Sequence, residues 1–230
     1  MHLSTPLLLV LIVALLSAAP GAQAQCRRRR EIRNLSGSER AAMVRGFQAM
    51  AQDGTLERLR RTHQANLGTA HNTEWFALWH RAYLMQVEDE LLAHTGGLSG
   101  LPFHDLSRDA SDPASSPAFS ASMFGQLNSG CLLGVNYDGR CLERNGPSGN
   151  WGQCAGGVVA SIIRGSDDYR QFSGSIEGTC HNRVHSAFPN SAIYSTGTSP
   201  WIPGSTLSTP ELITSLPNGK TRTPTRVAST

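Results

Sequence analysis

Histidines are unevenly distributed along this chain, and five of the eight fall into two compact groups. The first group is His63, His71 and His80, and the second is the pair His181 and His185, after which no histidine occurs. Imidazole is a common protein ligand for copper, zinc and iron. The pattern therefore predicts a fold that brings both groups to a binuclear metal site, with one ligand missing from the second group.

The spacing within the second group suits metal binding on a helix. His181 and His185 stand four residues apart, which on an α-helix means about 40° around the axis and about 6 Å along it. Such pairs are common on surfaces, and any one histidine alone is better explained as a hydrogen-bonded core or surface residue. The metal interpretation depends on the whole set, because each group lies beside aromatic or apolar residues.

The first residues have the pattern of a signal peptide. Leu7 to Leu16 is an apolar stretch too short to span a bilayer, and Ala22-Gln23-Ala24 is a small-x-small cleavage pattern. We expect residues 1–24 to be removed and the protein to be secreted. The remaining length suits one domain rather than two, and no later stretch is apolar enough to suggest a membrane span.

The net charge of +3 is small. The basic run Arg27 to Arg30 could be a protease processing site or a contact with an anionic surface, and a solvated N-terminal arm is the simpler interpretation. The other arginines are scattered without an interleaved aromatic stripe, so we expect no nucleic-acid partner.

All five cysteines follow the expected cleavage site. In an oxidising compartment they favour disulfides, and the odd number leaves one thiol over. Cys180, directly before His181, could instead be a soft copper ligand, although a disulfide is the stronger expectation for an exported protein. The cysteines are Cys26, Cys131, Cys141, Cys154 and Cys180.

The first half of the chain is rich in helical signals. Ser36 and Glu39 have the spacing of a capping box, which predicts an amphipathic helix from there to about Asp53-Gly54. A second helix is predicted from Leu56 to about His63, followed by a loop that carries His71.

The clearest helical period runs from Trp79 to Leu92, with Glu88, Asp89 and Glu90 expected to face largely outward. The pair Gly96-Gly97 should end this helix.

The second half is less regular. Residues 98–157 form a long loop-rich insert with three of the cysteines, in which short strands could lie around residues 132–135. Weak helical signals follow at 158–163 and 177–188. Residues 201–230 are rich in Ser, Thr and Pro without a hydrophobic period, so we expect a disordered tail. The fold class is mainly α, with long disulfide-stapled loops.

Three segments of the sequence resemble a known family. The run Phe76-Ala-Leu-Trp-His-Arg-Ala-Tyr-Leu84, preceded by His71 and His63, is similar to the first copper motif of tyrosinases, catechol oxidases and molluscan haemocyanins. Residues 177–185 are similar to the start of their second copper motif. Residues 101–106 resemble the intervening Leu-Pro-Tyr-Trp-Asp-Trp segment, with both tryptophans replaced. The resemblance covers roughly residues 26–200, and we take 25–200 as one copper-binding domain.

The resemblance implies a helical bundle around two copper ions that bind dioxygen between them. His63, His71 and His80 would hold the first copper, and His181 and His185 would form two corners of the second. Neutral imidazoles suit this role because they leave the charge of the metal uncancelled.

The resemblance also implies catalytic roles for Asn182 and Glu177 near the phenol. An ordinary helix-start cap is an equally good explanation of these two residues.

The chain departs from the family pattern after Ser199-Pro200. In the family a further helix carries the third ligand of the second copper, whereas here no histidine follows, so we expect the bundle to be incomplete at the C-terminus. Alternative splicing, a retained intron, a frameshift or a gene-model error would explain such an abrupt end. His104 is a conceivable substitute ligand, and His94 is more simply a partner of a helix C-terminus.

The resemblance therefore implies a secreted tyrosinase-like copper oxidoreductase that converts phenols or catechols to quinones with dioxygen. Its partners would be dioxygen and phenolic small molecules or tyrosyl side chains. With an incomplete second site, we expect this chain to be weakly active or inactive. The alternative is a non-enzymatic secreted copper protein, either oxygen-carrier-like or a matrix component. An unrelated mononuclear zinc or copper site fits the context of His80 less well.

Overall fold

The computed structural model describes residues 27–126, 128, 136–137, 140–141 and 145–188. Helices dominate these residues, as the sequence predicts. We number them α1 to α7: Gly37–Gln52, Thr55–Ala65, Leu67–Ala70, Phe76–His94, Gly156–Gly165, Tyr169–Ile176 and Asn182–Ser186. A π-helical turn, Glu177–His181, joins α6 to α7. The signal peptide and the 201–230 tail lie outside the described residues and stay predictions.

Helix α1 begins at the predicted capping box. The hydroxyl of Ser36 accepts the backbone N–H of Glu39, and the Glu39 carboxylate accepts the N–H of Ser36, so two otherwise orphaned donors are satisfied. The helix ends at Gln52, with Asp53 as its C-cap, as predicted. Its apolar face buries Met43, Phe47 and Met50 almost completely.

Helices α1 and α4 pack closely, and Gly46 marks the closest approach. A Cβ atom at this position would lie 2.6 Å from Cδ1 of Leu91 and 3.1 Å from Cγ2 of Thr95. The contact puts Met43 and Phe47 of α1 in the same buried cluster as the apolar side of α4. This packing holds α4 in place and thereby positions its N-terminal half.

Helix α4 is longer than the sequence predicts, and the prediction that Glu88 faces outward is wrong. It starts at Phe76 and ends at His94, before the glycine pair. Glu88, expected to face outward, is 2% exposed. Its carboxylate accepts two hydrogen bonds from Arg29 and one from the backbone N–H of Leu101. A buried carboxylate is tolerated here because it is paired and hydrogen-bonded.

The interpretation of the arginine run as a solvated arm is therefore wrong. Arg27 and Arg29 both pair with Glu88, and Arg30 pairs with Glu39 at 2.6 Å. The backbone N–H of Arg28 donates to Ser99. The segment is bound along α1 and α4 and helps to fix the domain.

The middle of the chain is loop-rich, as expected. Within its described part, short 3-10 turns occur at Leu106–Asp109, Pro113–Ser115, Pro117–Phe119 and Gly152–Cys154. The strands β1 (Asn136–Tyr137) and β2 (Arg140–Cys141) form an antiparallel pair. They follow the predicted strand positions 132–135, which lie outside the described residues.

The last helical segment starts earlier than predicted. Asp168 caps α6 by accepting the backbone N–H of Gln171, and helical structure then continues through the π-turn to Ser186. Glu177 and Asn182 lie inside this run, so the interpretation of these residues as helix-start caps is wrong. Among the described helices, none combines the length and the apolar character needed to cross a membrane.

Candidate metal centre

Three histidines of the first group meet in the interior, each from a different part of the helical frame. His63 comes from the last turn of α2, His71 follows α3 in an extended conformation, and His80 lies in the N-terminal half of α4. One ligand nitrogen from each lies within 4.8 Å of the other two. His63 and His80 are 3% and 5% exposed. The first histidine group of the sequence is therefore a spatial cluster.

The orientation of His71 is set by contacts with Glu177. Nδ1 of His71 lies 3.1 Å from Oε1 of Glu177, and the backbone N–H of Asn72 donates to both oxygens of the same carboxylate, at 2.9 and 3.0 Å. Asn72 has a φ of 56°, a left-handed conformation that asparagine adopts more readily than most residues. The carboxylate accepts and cannot donate, so Nδ1 of His71 carries the proton and Nε2 offers a lone pair.

His80 is oriented by its own helix. Its Nδ1 donates to the backbone carbonyl of Phe76 at 2.8 Å, which leaves Nε2 with a lone pair. Burial lowers the pKa of His80 to about 3, and the neighbouring His71 and His63 act in the same direction. The ring is therefore neutral at physiological pH, the form that binds a metal.

The second group lies against the first. The ring centroid of His181 is 5.5 Å from that of His71 and 5.7 Å from that of His80. The rings of His181 and His185 are 4.5 Å apart, as the four-residue spacing predicts. Burial lowers the pKa of His181 well below its ordinary value, and the nearby histidines lower it further.

Both groups have features that fit metal ions. Nε2 of His63 and Nε2 of His71 are 3.1 Å apart, and two nitrogens bonded at about 2.0–2.1 Å to one ion lie roughly this far apart. Nε2 of His181 is buried without a hydrogen-bond partner among the described residues. An unsatisfied buried nitrogen is costly, and a metal ion would satisfy it. Neutral imidazoles suit copper.

Aromatic rings enclose the first group. The ring of Trp79 lies 5.4 Å from that of His63 and stacks on Tyr83 at 5.2 Å. Phe76 packs 4.6 Å from His80 and 4.8 Å from His181. These contacts restrict the rotation of the imidazoles and exclude water from one side of the centre.

A cleft of about 690 Å³ opens beside the centre. Glu177 and Asn182 both line it, and Asn182 is exposed while Glu177 is buried. The indole of Trp75, which is 53% exposed, lies at the same cleft. Arg170 and Glu74 also line it and form an ion pair at 2.5 Å. A cavity of this size suits a small aromatic molecule.

Three cleft residues of the α6–π–α7 run are absent from the sequence predictions: Arg170, Gly174 and Gly178. Together with Asn182 they recur every four residues, so one face of this run forms the side of the cleft. A Cβ atom at Gly174 or Gly178 would meet nothing within 4 Å. The four-residue period was visible in the sequence, although the late predicted start of this helix concealed it.

The structure places the other candidate ligands elsewhere. Nε2 of His104 lies 2.5 Å from a carboxylate oxygen of Asp109 and 3.0 Å from the hydroxyl of Ser116, and His104 is 1% exposed. The substitute-ligand hypothesis for His104 has no support among the described contacts, which join its Nε2 to Asp109 and Ser116 and do not join it to His181 or His185. Cys180 forms a disulfide with Cys154, as expected.

His94 lies at the end of α4, where a C-terminal partner was predicted. Its Nδ1 donates to the carbonyl of Glu90, and its Nε2 lies 2.6 Å from a carboxylate oxygen of Asp53. The hydrogen bond with Asp53 raises the pKa of His94. His94 therefore joins the ends of α1 and α4.

The chain is similar to known proteins over most of its length. It is 31% identical over 110 residues to the "Putative tyrosinase-like protein tyr-3" of Caenorhabditis elegans, a match that spans 44% of this chain and 16% of that protein. Its fold matches a polyphenol oxidase structure (mutant G292N) from Thermothelomyces thermophila with a TM-score of 0.67 and 18% identity, over 90% of this chain and 74% of that one. A sequence profile described as the common central domain of tyrosinase matches residues 44–203. The chain therefore belongs to the tyrosinase family of type-3 copper proteins.

Proposed function

We propose that this protein is a secreted copper oxidoreductase that oxidises phenols or catechols to quinones with dioxygen. The observation that carries the proposal is the cluster of His63, His71 and His80, whose ligand nitrogens lie within 4.8 Å of one another, with His181 packed against it. In the overall reaction two catechols lose two electrons and two protons each, and one dioxygen becomes two waters. Copper at the two histidine groups would supply the electron transfer and the activation of dioxygen.

The residues of the chain have separable tasks in this proposal. His63, His71 and His80 hold the first copper, and His181 and His185 supply two ligands of the second. The aromatic ring of the substrate lies in the cleft against Trp75, which presents an exposed indole face. The side-chain amide of Asn182, at the same cleft, hydrogen-bonds the phenolic oxygen or its water partner. The substrate is a phenolic small molecule or a tyrosyl side chain.

The second copper site is the weaker one. The sequence supplies two histidines to it and none after His185. A three-imidazole site holds an ion more tightly than a two-imidazole site. We therefore expect the first copper to bind tightly, the second to bind weakly, and catechol oxidation by this chain to be slow or absent.

Two features support placement outside the cell. The apolar segment Leu7 to Leu16 has the length of a signal-peptide core. The disulfide between Cys154 and Cys180 is typical of oxidising compartments.

The experiment is a copper titration combined with a catechol assay. The secreted protein is loaded with one or two equivalents of copper, and quinone formation is followed with and without added imidazole, which can occupy the open corner of the second site. We expect one tightly bound copper per chain and faster oxidation when imidazole is present. His80→Ala, which breaks the first site, is the matched control and should show no acceleration by imidazole.

Other outcomes separate the alternatives. Failure to bind any copper would contradict the proposal. Saturable copper uptake without oxidation of any phenol, with or without imidazole, would favour the non-enzymatic copper protein. Two tightly bound coppers with rapid turnover and no added imidazole would show that the second site is complete.

A further inference from the structure

We propose that Glu177 is a positioning residue of the first metal site, which holds His71 with Nε2 facing the metal and thereby sets the affinity of the site. The inference rests on the proposed copper-binding function. It assigns to Glu177 a role other than the catalytic one that the family resemblance implies.

The contacts of Glu177 are directed at one histidine and its neighbour. Oε1 lies 3.1 Å from Nδ1 of His71, and both carboxylate oxygens accept the backbone N–H of Asn72. These hydrogen bonds join the carboxylate to the segment between α3 and α4. The chain turns at Asn72 with a φ of 56°, so the His71 ring and the backbone N–H of Asn72 both contact the same carboxylate.

This geometry selects the tautomer of His71. A carboxylate in these contacts can only accept, so the proton of the neutral imidazole stays on Nδ1. Nε2, 3.1 Å from Nε2 of His63, is then free of its proton. A carboxylate behind a metal-bound imidazole also makes the ring a better ligand, and removal of such a partner typically lowers metal affinity 10- to 100-fold.

The place of Glu177 in the chain gives the contact a second effect. Glu177 begins the π-turn that ends at His181, and π-turns inside helices are often found at functional sites. The hydrogen bonds therefore tie the loop of His71 to the helical run that carries His181 and His185. Glu177 is 5% exposed, which protects these hydrogen bonds from water.

Asn182, the other residue with an implied catalytic role, behaves differently. Asn182 is exposed, and among the described contacts none joins its side chain to His63, His71 or His80. The two residues that the resemblance groups together thus differ in the structure: both line the cleft, but of the two only Glu177 has a described contact with His71.

The experiment measures the affinity of the first copper, which does not depend on turnover. A chelator competition is made with the wild-type protein, Glu177→Gln and Glu177→Ala at one equivalent of copper. We expect the alanine variant to lose 10- to 100-fold in affinity. The glutamine variant should lie between, because its amide oxygen can accept from His71 whereas its NH₂ group cannot accept from Asn72.

Two control variants isolate the effect. Asn182→Ala changes the cleft without touching His71 and should leave the affinity within about twofold. Asp53→Asn removes the carboxylate that contacts another histidine, His94, outside the centre. This variant should also leave the affinity for the first copper unchanged. An electron paramagnetic resonance spectrum of the one-copper form should change in Glu177→Ala and stay constant in both controls.

A measurement on the metal-free wild-type protein tests the tautomer directly. Nitrogen-15 chemical shifts of His71 should show the proton on Nδ1, and this readout does not require the variants to fold. Wild-type affinity in a folded Glu177→Ala variant, or a His71 proton on Nε2, would overturn the inference. Absence of catechol oxidation even with added imidazole would contradict the proposed enzymatic function while leaving these affinities readable.

Discussion

Arg29 and Glu88 form a two-point ion pair inside the domain. Nε of Arg29 lies 3.0 Å from one carboxylate oxygen and Nη2 lies 2.9 Å from the other, and the Glu88 side chain is 3% exposed. The same carboxylate accepts the backbone N–H of Leu101 at 2.7 Å. One side chain on α4 thus joins the segment before α1 to the segment after α4.

Glu88→Gln should destabilise the domain. The substitution keeps the shape but removes the charge, so the mostly buried guanidinium of Arg29 loses its counter-ion. We expect the free energy of unfolding to fall by about 3 kcal/mol, measured by urea denaturation. Asp89→Asn is the matched control, because Asp89 pairs with Arg27 at an exposed position and its loss should cost less than about 1 kcal/mol. Equal effects would contradict the buried-pair interpretation.

Glu88 should also shape the response to acid. Burial acts to raise the pKa of Glu88, but the hydrogen bonds from Arg29 and Leu101 outweigh it and lower the pKa below its usual 4.5. A carboxyl group with a lowered pKa contributes stability that is present above about pH 4.5 and lost as the pH falls through the folded-state pKa. Between pH 3 and 6 the free energy of unfolding should therefore depend less on pH in Glu88→Gln than in the wild type. The same pH dependence in both proteins would argue against this contribution.

The pair of His94 and Asp53 should titrate abnormally. The hydrogen bond lowers the pKa of Asp53 to about 2 and raises that of His94. The contribution of this pair to stability should be present below about pH 6.5 and lost as the pH rises through the pKa of His94. On the acid side it should be lost as Asp53 is protonated near pH 2. A proton NMR titration should find the His94 pKa above 6.5 in the wild type and closer to 6.5 in Asp53→Asn. An unchanged value would contradict the contact.

Removal of the disulfide should affect the second histidine group more than the first. Cys154 and Cys180 close a loop of 26 residues, and Cys180 directly precedes His181. Replacement of both by serine should lower the free energy of unfolding by about 3 kcal/mol and weaken the second copper, with the first copper little changed. Denaturation and copper titration together check this expectation. Equal weakening of both coppers would instead point to a general loss of structure.

His104 should matter for stability and not for copper. Its ring is buried and bonded to Asp109 and Ser116, so His104→Ala should cost about 3 kcal/mol through a cavity and unsatisfied partners. The folded variant should bind both coppers with wild-type affinity. His80→Ala is the contrasting variant and should lose the first copper. A loss of second-site affinity in His104→Ala would support its candidacy as the missing ligand of that site.

Local signals in the sequence were sufficient for the features that depend on neighbours in the chain. The capping box at Ser36 fixed the start of α1, because both of its hydrogen bonds join residues three apart. The four-residue spacing of His181 and His185 likewise predicted adjacent rings. The grouping of His63, His71 and His80 predicted a metal site although they come from separate segments, and the family resemblance added that the metal is copper.

Features that depend on distant partners escaped the sequence. In a helical projection Glu88 lies within about 60° of the apolar Leu84 and Leu91, but its partner Arg29 lies 59 residues away. The link from Glu177 to His71 spans 106 residues. Long-range ion pairs and hydrogen bonds leave no periodic trace, so the sequence revealed neither the pairing of Arg29 with Glu88 nor the contact of Glu177 with His71.

The π-turn at Glu177–His181 constrains the number of residues in this segment more strictly than their identity. Insertion of one further residue, for example after Thr179, would rotate everything before it by about 100° relative to His181. Glu177 would leave His71, and Gly174 would leave the cleft. Substitutions at the exposed position Gly178 should be tolerated far better than any insertion between Glu177 and His181. In a library of variants this segment should accept changes of side chain but no additional residue.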